Sequence, residues 1–250
     1  MTGLALPAKR DGATHRPMSE IPVLRIDRVD MTFAPRPWPF ADQHRREIDA
    51  HFAARQQDNP AIWNGRVLML REHTIDGSVF RGSLAEVDYA SFLTWRDWGR
   101  PEAGAKDCFA QSALRAADGA FLLGVMSRHT ANEGHIYFPS GTPDRSDIVG
   151  TKVDLDANVW RELREETGLT PADLVAEHGW HTVLAGQRLA HIKVLQARED
   201  ADTLRAKILG VLAQQNQPEL SDIRVVRSPA DFDPMVQDFI IAFLTEAWRG

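Results

Sequence analysis

Cysteine is nearly absent from this sequence of 250 residues, and long apolar runs are missing. The single cysteine, Cys108, excludes an internal disulfide and is typical of a small buried residue in a reducing compartment. No stretch approaches the roughly 18–20 apolar residues that a membrane helix needs. The first residues also lack the apolar segment of a secretory signal. We therefore expect a cytoplasmic protein that does not bind membranes.

An excess of basic residues is also missing, since the net charge is -6. A general nucleic-acid-binding protein more often has a basic face, so we expect no nucleic-acid partner. A small phosphorylated ligand remains compatible with this charge because such sites are local. The hydrophobic share of 43% and the charged share of 26% are ordinary for a globular protein.

The chain is longer than a typical domain of roughly 100–150 residues, so one domain carries additions or two units share the chain. A connector rich in glycine over residues 99–104 marks the main internal boundary. We predict a flexible tail over 1–19, an α+β subdomain over 20–104 and an α/β domain over 105–250. Hairpins are expected at Asp76-Gly77 and Asp118-Gly119, because both turn residues of a tight hairpin need positive φ. Asp233-Pro234 predicts the start of a final helix.

One segment, residues 161–169, carries most of the chemical information. A helix is predicted over 157–167, ending at Gly168, which is a natural residue after a helix. Residues three and four apart share a helix face, so Glu162, Glu165 and Glu166 should project as one acidic cluster.

Such a cluster repels itself and needs a counter-charge when the helix is packed on a core. Carboxylate oxygens suit hard cations such as Mg²⁺ or Mn²⁺, which bridge phosphate oxygens and activate water. The alternative interpretation is a solvated, glutamate-rich helix face.

The full pattern of the segment is more restrictive than its three glutamates. It reads Arg, Glu, an aliphatic, any residue, Glu, Glu, any residue, Gly and an aliphatic, and average residue usage gives it a chance frequency on the order of 10⁻⁵ in a chain of this length. It resembles the second half of the Nudix box, Gly-x5-Glu-x7-Arg-Glu-U-x-Glu-Glu-x-Gly-U, where U is aliphatic. The likeness extends more loosely over residues 105–250.

The resemblance implies an α/β/α sandwich with a mixed sheet and metal-dependent hydrolysis of a nucleoside diphosphate linked to another group. It implies that Glu162, Glu165 and Glu166 are metal ligands and that Arg161 orients them. Many members use a further acidic residue from a later loop, for which Glu219 is the candidate here; a solvated loop glutamate is the alternative. Either Glu166 or Glu219 would help to deprotonate the attacking water.

The first half of the box departs from the family pattern. Its glutamate falls on Val153 and its glycine on Asp147, whereas Gly141 follows a strand as the loop glycine should. We interpret this as a loop six residues longer than usual. The departure leaves open a non-catalytic Nudix-fold protein that senses a nucleotide. A third class, an allylic diphosphate isomerase, would require a catalytic cysteine.

Residues 20–104 contain no comparably specific motif. Asn59-Pro60, Asn64-Gly65 and Asp88-Tyr89 bear a faint similarity to Nudix proteins that act on UDP-sugars, which makes a nucleotide sugar one candidate substrate. We expect this segment to select the substrate or to form the interface of a homodimer.

Overall fold

The computed structural model describes residues 21–249, so the tail predicted over 1–19 lies outside the described residues. The N-terminal half, up to residue 104, contains seven of the named elements. In chain order they are β1 (Val23–Ile26), β2 (Arg28–Phe33), α1 (Pro39–Gln43), α2 (Arg45–Asp58), β3 (Arg66–Asp76), β4 (Val79–Asp88) and α3 (Tyr89–Asp97). The amphipathic sequence over 40–57 is helical, but the helix is divided in two at His44.

The remaining elements form the C-terminal part. They are β5 (Asp107–Arg115), β6 (Phe121–Met126), β7 (Ile136–Tyr137), β8 (Ser140–Gly141), β9 (Ile148–Val149), β10 (Lys152–Val153), α4 (Leu155–Thr167), β11 (Leu174–Ala176), β12 (Trp180–Ala185), β13 (Arg188–Ala197), α5 (Ala201–Leu212), β14 (Leu220–Val226) and α6 (Asp238–Ala247). Both predicted hairpins are present, with Gly77 and Gly119 at positive φ. Asp76 and Asp118 do not have positive φ, so the expected turn with two positive φ values does not form.

The main sheet is mixed and has the strand order β1-β12-β13-β5-β6-β14. Strands β13 and β5 are parallel, whereas β12–β13 and β6–β14 are antiparallel. Helices α4 and α5 pack on one face through residues such as Leu163 and Ile208, and α6 packs on the other through Phe239 and Phe243. The predicted α/β/α sandwich is therefore confirmed.

A second sheet has the order β3-β4-β2-β10-β9. Its residues Met31, Leu70 and Phe80 enter the same buried cluster as Val159 and Leu163 of α4. The two sheets also exchange strands across the predicted boundary: β1 pairs with β12, and β10 pairs with β2. The N-terminal half is consequently joined to the C-terminal part by backbone hydrogen bonds as well as by apolar packing.

The start of the final helix was predicted wrongly. Helix α6 begins at Asp238, five residues after Asp233. Val236 instead forms an isolated parallel bridge with Ile136, so this backbone is held by the sheet before the helix begins. No helix within residues 21–249 combines the length and the apolar character needed to span a membrane.

Candidate active site

Helix α4 is positioned by capping at both ends. The Asp154 side chain accepts a hydrogen bond from the Ala157 backbone N–H at 2.9 Å, and Gly168 ends the helix in the left-handed conformation at φ 74°. Buried Val159 and Leu163 hold one face of the helix on the core. The carboxylates on the adjoining face are therefore carried by a rigid element, as the sequence predicted.

Two of the three glutamates are withdrawn from solvent. Glu166 is buried; its Oε1 accepts a hydrogen bond from the Ser140 backbone N–H at 3.4 Å, and its Oε2 is buried without a partner. The Glu162 side chain is 15% exposed, whereas that of Glu165 is 54% exposed. Glu162 and Glu166 thus form the inner part of the predicted cluster, and Glu165 lies at its rim.

Burial changes the proton affinity of the inner pair. Desolvation raises the pKa of Glu162 to about 7 against the opposing effect of Arg161. Desolvation also raises the pKa of Glu166 well above its ordinary value, and the charges of Glu219 and Glu162 add to this rise. The ionised pair therefore lacks sufficient compensating charge, which is the condition that favours binding of a cation.

Arg161 makes the ion pairs within this group. Its guanidinium lies 2.6 Å from Glu162 Oε1 and 3.1 Å from both carboxylate oxygens of Asp147. Glu165, one helical turn after Arg161, is farther away, at 3.7 Å. Arg161 can therefore orient Glu162, and it does so from an anchor on Asp147.

Asp147 is a site residue that sequence reasoning missed. Its side chain is buried and also accepts hydrogen bonds from Asn158 Nδ2 at 3.0 Å and from the Asp144 backbone N–H at 2.9 Å. Asp147 follows Gly141 by six residues, which is the spacing between glycine and glutamate in the Nudix pattern. This spacing was the available signal.

The six additional residues of the box form the β9–β10 hairpin, over 148–153. Thirteen residues separate Asp147 from Arg161, where the pattern has seven. The Asp154 N–H donates to the Asp147 carbonyl at 2.8 Å, so the hairpin closes on itself and brings Asp147 back to the start of α4. The predicted lengthening of the loop is therefore located between Asp147 and the helix.

Gly141 is required by close packing against Glu162. A β-carbon at residue 141 would collide with the Glu162 carboxylate. We expect Gly141→Ala to displace this carboxylate and to lower hydrolytic turnover at least about a hundredfold, the scale of a misplaced catalytic group. Steady-state kinetics of a folded variant would check this. Gly104→Ala is the control because its β-carbon meets only the flexible Glu102 side chain at 3.6 Å; equal activity of the two variants would contradict the prediction.

Glu219 directly precedes β14 and lines a cleft that also contains Ser140, whose backbone N–H contacts Glu166. Its charge contributes to the raised pKa values of both Glu162 and Glu166. Other acidic residues of the later loops, Glu199 and Asp200, have structural partners instead: Asp200 caps α5, and Glu199 lies 3.3 Å from Lys207. Of these candidates, Glu219 is the one that the structure brings close to the inner pair.

The fit of the site to a divalent cation rests on its donor atoms. The buried, unpartnered Oε2 of Glu166 and the neighbouring carboxylates are hard oxygen ligands of the kind that Mg²⁺ and Mn²⁺ prefer. Within residues 21–249, however, no group of three His, Cys, Asp or Glu side chains is arranged to hold a metal ion. The three glutamates do not converge, because Glu162 is paired with Arg161 and Glu165 lies at the rim.

Comparison with solved structures shows similarity to Nudix hydrolases. A Nudix hydrolase from M. smegmatis, RenU, is 17% identical with a TM-score of 0.39, covering 58% of this chain and 84% of that one. An Ap4A hydrolase from C. elegans is 17% identical with a TM-score of 0.36, covering 57% and 99%. A bifunctional NMN adenylyltransferase/ADP ribose pyrophosphatase from Francisella tularensis is 12% identical with a TM-score of 0.40. The match covers 63% of this chain but only 45% of that one. No family model and no curated protein matches the sequence.

Proposed function

We propose that this protein is a Nudix-type diphosphatase that uses Mg²⁺ or Mn²⁺ to hydrolyse the diphosphate linkage of a nucleoside diphosphate derivative. The observation that carries the proposal is the pair Glu162 and Glu166 on helix α4. Glu162 is half-buried, and Glu166 is buried with one carboxylate oxygen unpartnered. A nucleotide sugar remains one candidate substrate.

In this mechanism Glu162, Glu165 and Glu166 would hold the cation. When bound, the cation would neutralise charge on the diphosphate oxygens and favour ionisation of water. Arg161 keeps Glu162 in place through its own pairing with Asp147. Glu166 or Glu219 accepts the proton of the water that attacks phosphorus. The P–O bond to the bridging oxygen then breaks, and two phosphate-bearing products form.

The N-terminal half has a proposed role in choosing the substrate. Residues of α2, β3 and α3 form one wall of the cleft that contains Glu219, so they would contact the part of the substrate beyond the diphosphate. Dimerisation through this half remains the alternative role.

A substrate panel tests the proposal. The full chain would be incubated with nucleotide sugars, ADP-ribose, dinucleotides, CoA and nucleoside triphosphates, with Mg²⁺, with Mn²⁺ or with a chelator, and the products would identify the cleaved bond. We expect at least one compound to be cleaved at its diphosphate, with loss of turnover in the chelator. Turnover that persists in the chelator would refute the proposal.

A non-catalytic nucleotide sensor is the second candidate. The pairing of Arg161 with Glu162 favours it, because an arginine can supply the counter-charge that a cation would otherwise supply. Saturable binding of a nucleotide without product in any metal condition would select this function. Cys108 gives no support to an isomerase, since it is buried and burial raises the pKa of its thiol.

A further inference from the structure

A cleft of about 920 Å³ extends from Glu219 into the N-terminal half of the chain. Glu219 and Ser140 lie in its lining, and Ser140 contacts Glu166. Its volume is near the upper end of the roughly 300–1,000 Å³ usual for small-molecule sites. The cleft therefore has room for more than the diphosphate on which the proposed function acts.

Five arginines line this cleft. Arg66 pairs with Glu86 at 2.6 Å, and the other four come from both halves of the chain: Arg55, Arg96, Arg100 and Arg188. They share three carboxylates. Asp97 lies 3.4 Å from Arg55 and 3.6 Å from Arg96, Asp107 lies 3.7 Å from Arg100, and Asp238 lies 2.7 Å from Arg188. This group of arginines and aspartates thus keeps one net positive charge.

Arg100 shows the strongest sign of a binding role. Within residues 21–249 it is the one non-glycine residue with a positive φ, at 58°. This backbone conformation costs energy, so it persists only where the surrounding structure holds it. Its backbone N–H donates to the Trp95 carbonyl at 2.8 Å, and its guanidinium lies over the Trp95 ring. Its Nε is buried and has no hydrogen-bond partner.

The cations crowd one another in this part of the cleft. Burial lowers the pKa of Arg100, and the charge of Asp107 offsets part of this shift. The nearby charges of Arg188 and Arg96 lower the pKa further. An incoming anion would relieve this repulsion and would find a planar donor group already positioned. Arginine is well suited to bind phosphate and carboxylate in this way.

A hydrogen-bonded path connects the arginines to the hydrolytic end. Arg96 Nη1 donates to Asn132 Oδ1 at 3.1 Å, and Asn132 Nδ2 donates to the Tyr137 hydroxyl at 3.0 Å. Tyr137 lies close enough to Glu166 and Glu219 for their charges to raise its pKa, in addition to the larger effect of burial. The two ends of the cleft are therefore parts of one site.

We propose that Arg96, Arg100 and Arg188 bind a second anionic group, a phosphate or a carboxylate, on the part of the substrate that is not hydrolysed. The inference rests on the proposed function for the position of the diphosphate. It narrows the substrate class to nucleoside diphosphate derivatives that carry an additional anion.

Binding of matched ligand pairs tests the inference. CoA with dephospho-CoA and NADPH with NADH differ by one phosphate, and UDP-glucuronate with UDP-glucose differs by one carboxylate. Kd values would be measured by calorimetry on the full-length Glu166→Gln protein, and kcat/KM on the unaltered protein. We expect the anionic member of at least one pair to bind about tenfold or more tightly, which is the effect of one charged hydrogen bond.

Two arginine variants assign the effect to the cleft. Arg100→Asn suits the left-handed backbone, and Arg96→Gln keeps a polar donor; both should remove the preference for the anionic member in the same Glu166→Gln background. Arg224→Gln is the control, because Arg224 is an exposed residue of strand β14 outside the cleft; it should keep the preference. Thermal unfolding would confirm that each variant is folded. Loss of the preference in one folded arginine variant is enough to assign it to the cleft.

The outcomes separate this inference from the proposed function. A preference that is lost in a folded arginine variant supports the inference even if no ligand is hydrolysed, in which case only the proposed function fails. Hydrolysis with no preference in any of the three pairs overturns the inference and leaves the proposed function standing. A preference that survives in both folded arginine variants also overturns it.

Discussion

Glu166→Gln should lower turnover between about a hundredfold and ten-thousandfold, the range for loss of a positioned acid–base group. Glutamine has nearly the same shape and can still accept the hydrogen bond from the Ser140 backbone N–H. It cannot take up a proton from water, and it is a poorer ligand for Mg²⁺ than a carboxylate. The measurement is kcat with the substrate that the panel identifies. Unchanged turnover would contradict the assignment.

The same substitution should stabilise the metal-free protein at pH 8. Because the pKa of Glu166 is higher in the folded than in the unfolded state, this carboxyl removes stability as the pH rises above its unfolded pKa near 4.5. Glutamine does not titrate, so the gain in unfolding free energy should be larger at pH 8 than at pH 5. Urea unfolding in a chelator would measure both values. Glu246→Gln is the control, because Glu246 is an exposed residue of α6; it should shift neither stability nor turnover.

Asp147→Ala should destabilise the protein by about 3–5 kcal/mol, the cost of breaking a buried ion pair by removing one partner. Arg161 Nη2 would lose the carboxylate to which it donates, and Asn158 Nδ2 would lose its acceptor. Turnover should fall as well, because Glu162 depends on Arg161 for its position. Urea unfolding and kinetics of the same preparation would measure the two effects.

Asp156→Ala is the matched control for that experiment. Asp156 lies on the same helix and pairs with Lys193 at 3.0 Å, but its side chain is 57% exposed. The Lys193 side chain is 12% exposed, but its ammonium keeps its contact with the Trp180 ring when Asp156 is removed. This variant should therefore lose much less stability than Asp147→Ala. Similar losses of stability in the two variants would show that Asp147 does not have the proposed structural role.

The parts of the fold that the sequence predicted are governed by local signals. Asp154 and Gly168 lie at the two ends of one helix, and Asp76-Gly77 and Asp118-Gly119 each define a turn within a few residues. The acidic cluster was visible for the same reason, since its members lie within one turn of α4. Signals of this kind depend on backbone conformation and not on distant partners.

The parts that the sequence did not predict depend on distant contacts. Asp147 reaches Arg161 only because a hairpin folds out between them, and a fixed-spacing pattern therefore passed over it. The cleft arginines are spread from Arg55 to Arg188, and nothing in their spacing relates them. Val236 lies within the helix predicted to start at Asp233-Pro234, but its pairing with Ile136 holds it in the sheet instead.

The strand exchange between the two sheets also bears on how this chain can be divided. A fragment beginning at residue 105 would lack β1 and β2, and the edges of β12 and β10 would lose their backbone partners. Open strand edges of this kind recruit other chains and promote aggregation. The C-terminal part is therefore poorly suited to fold without the N-terminal half. The β9–β10 hairpin pairs with β2, which the fragment would lack.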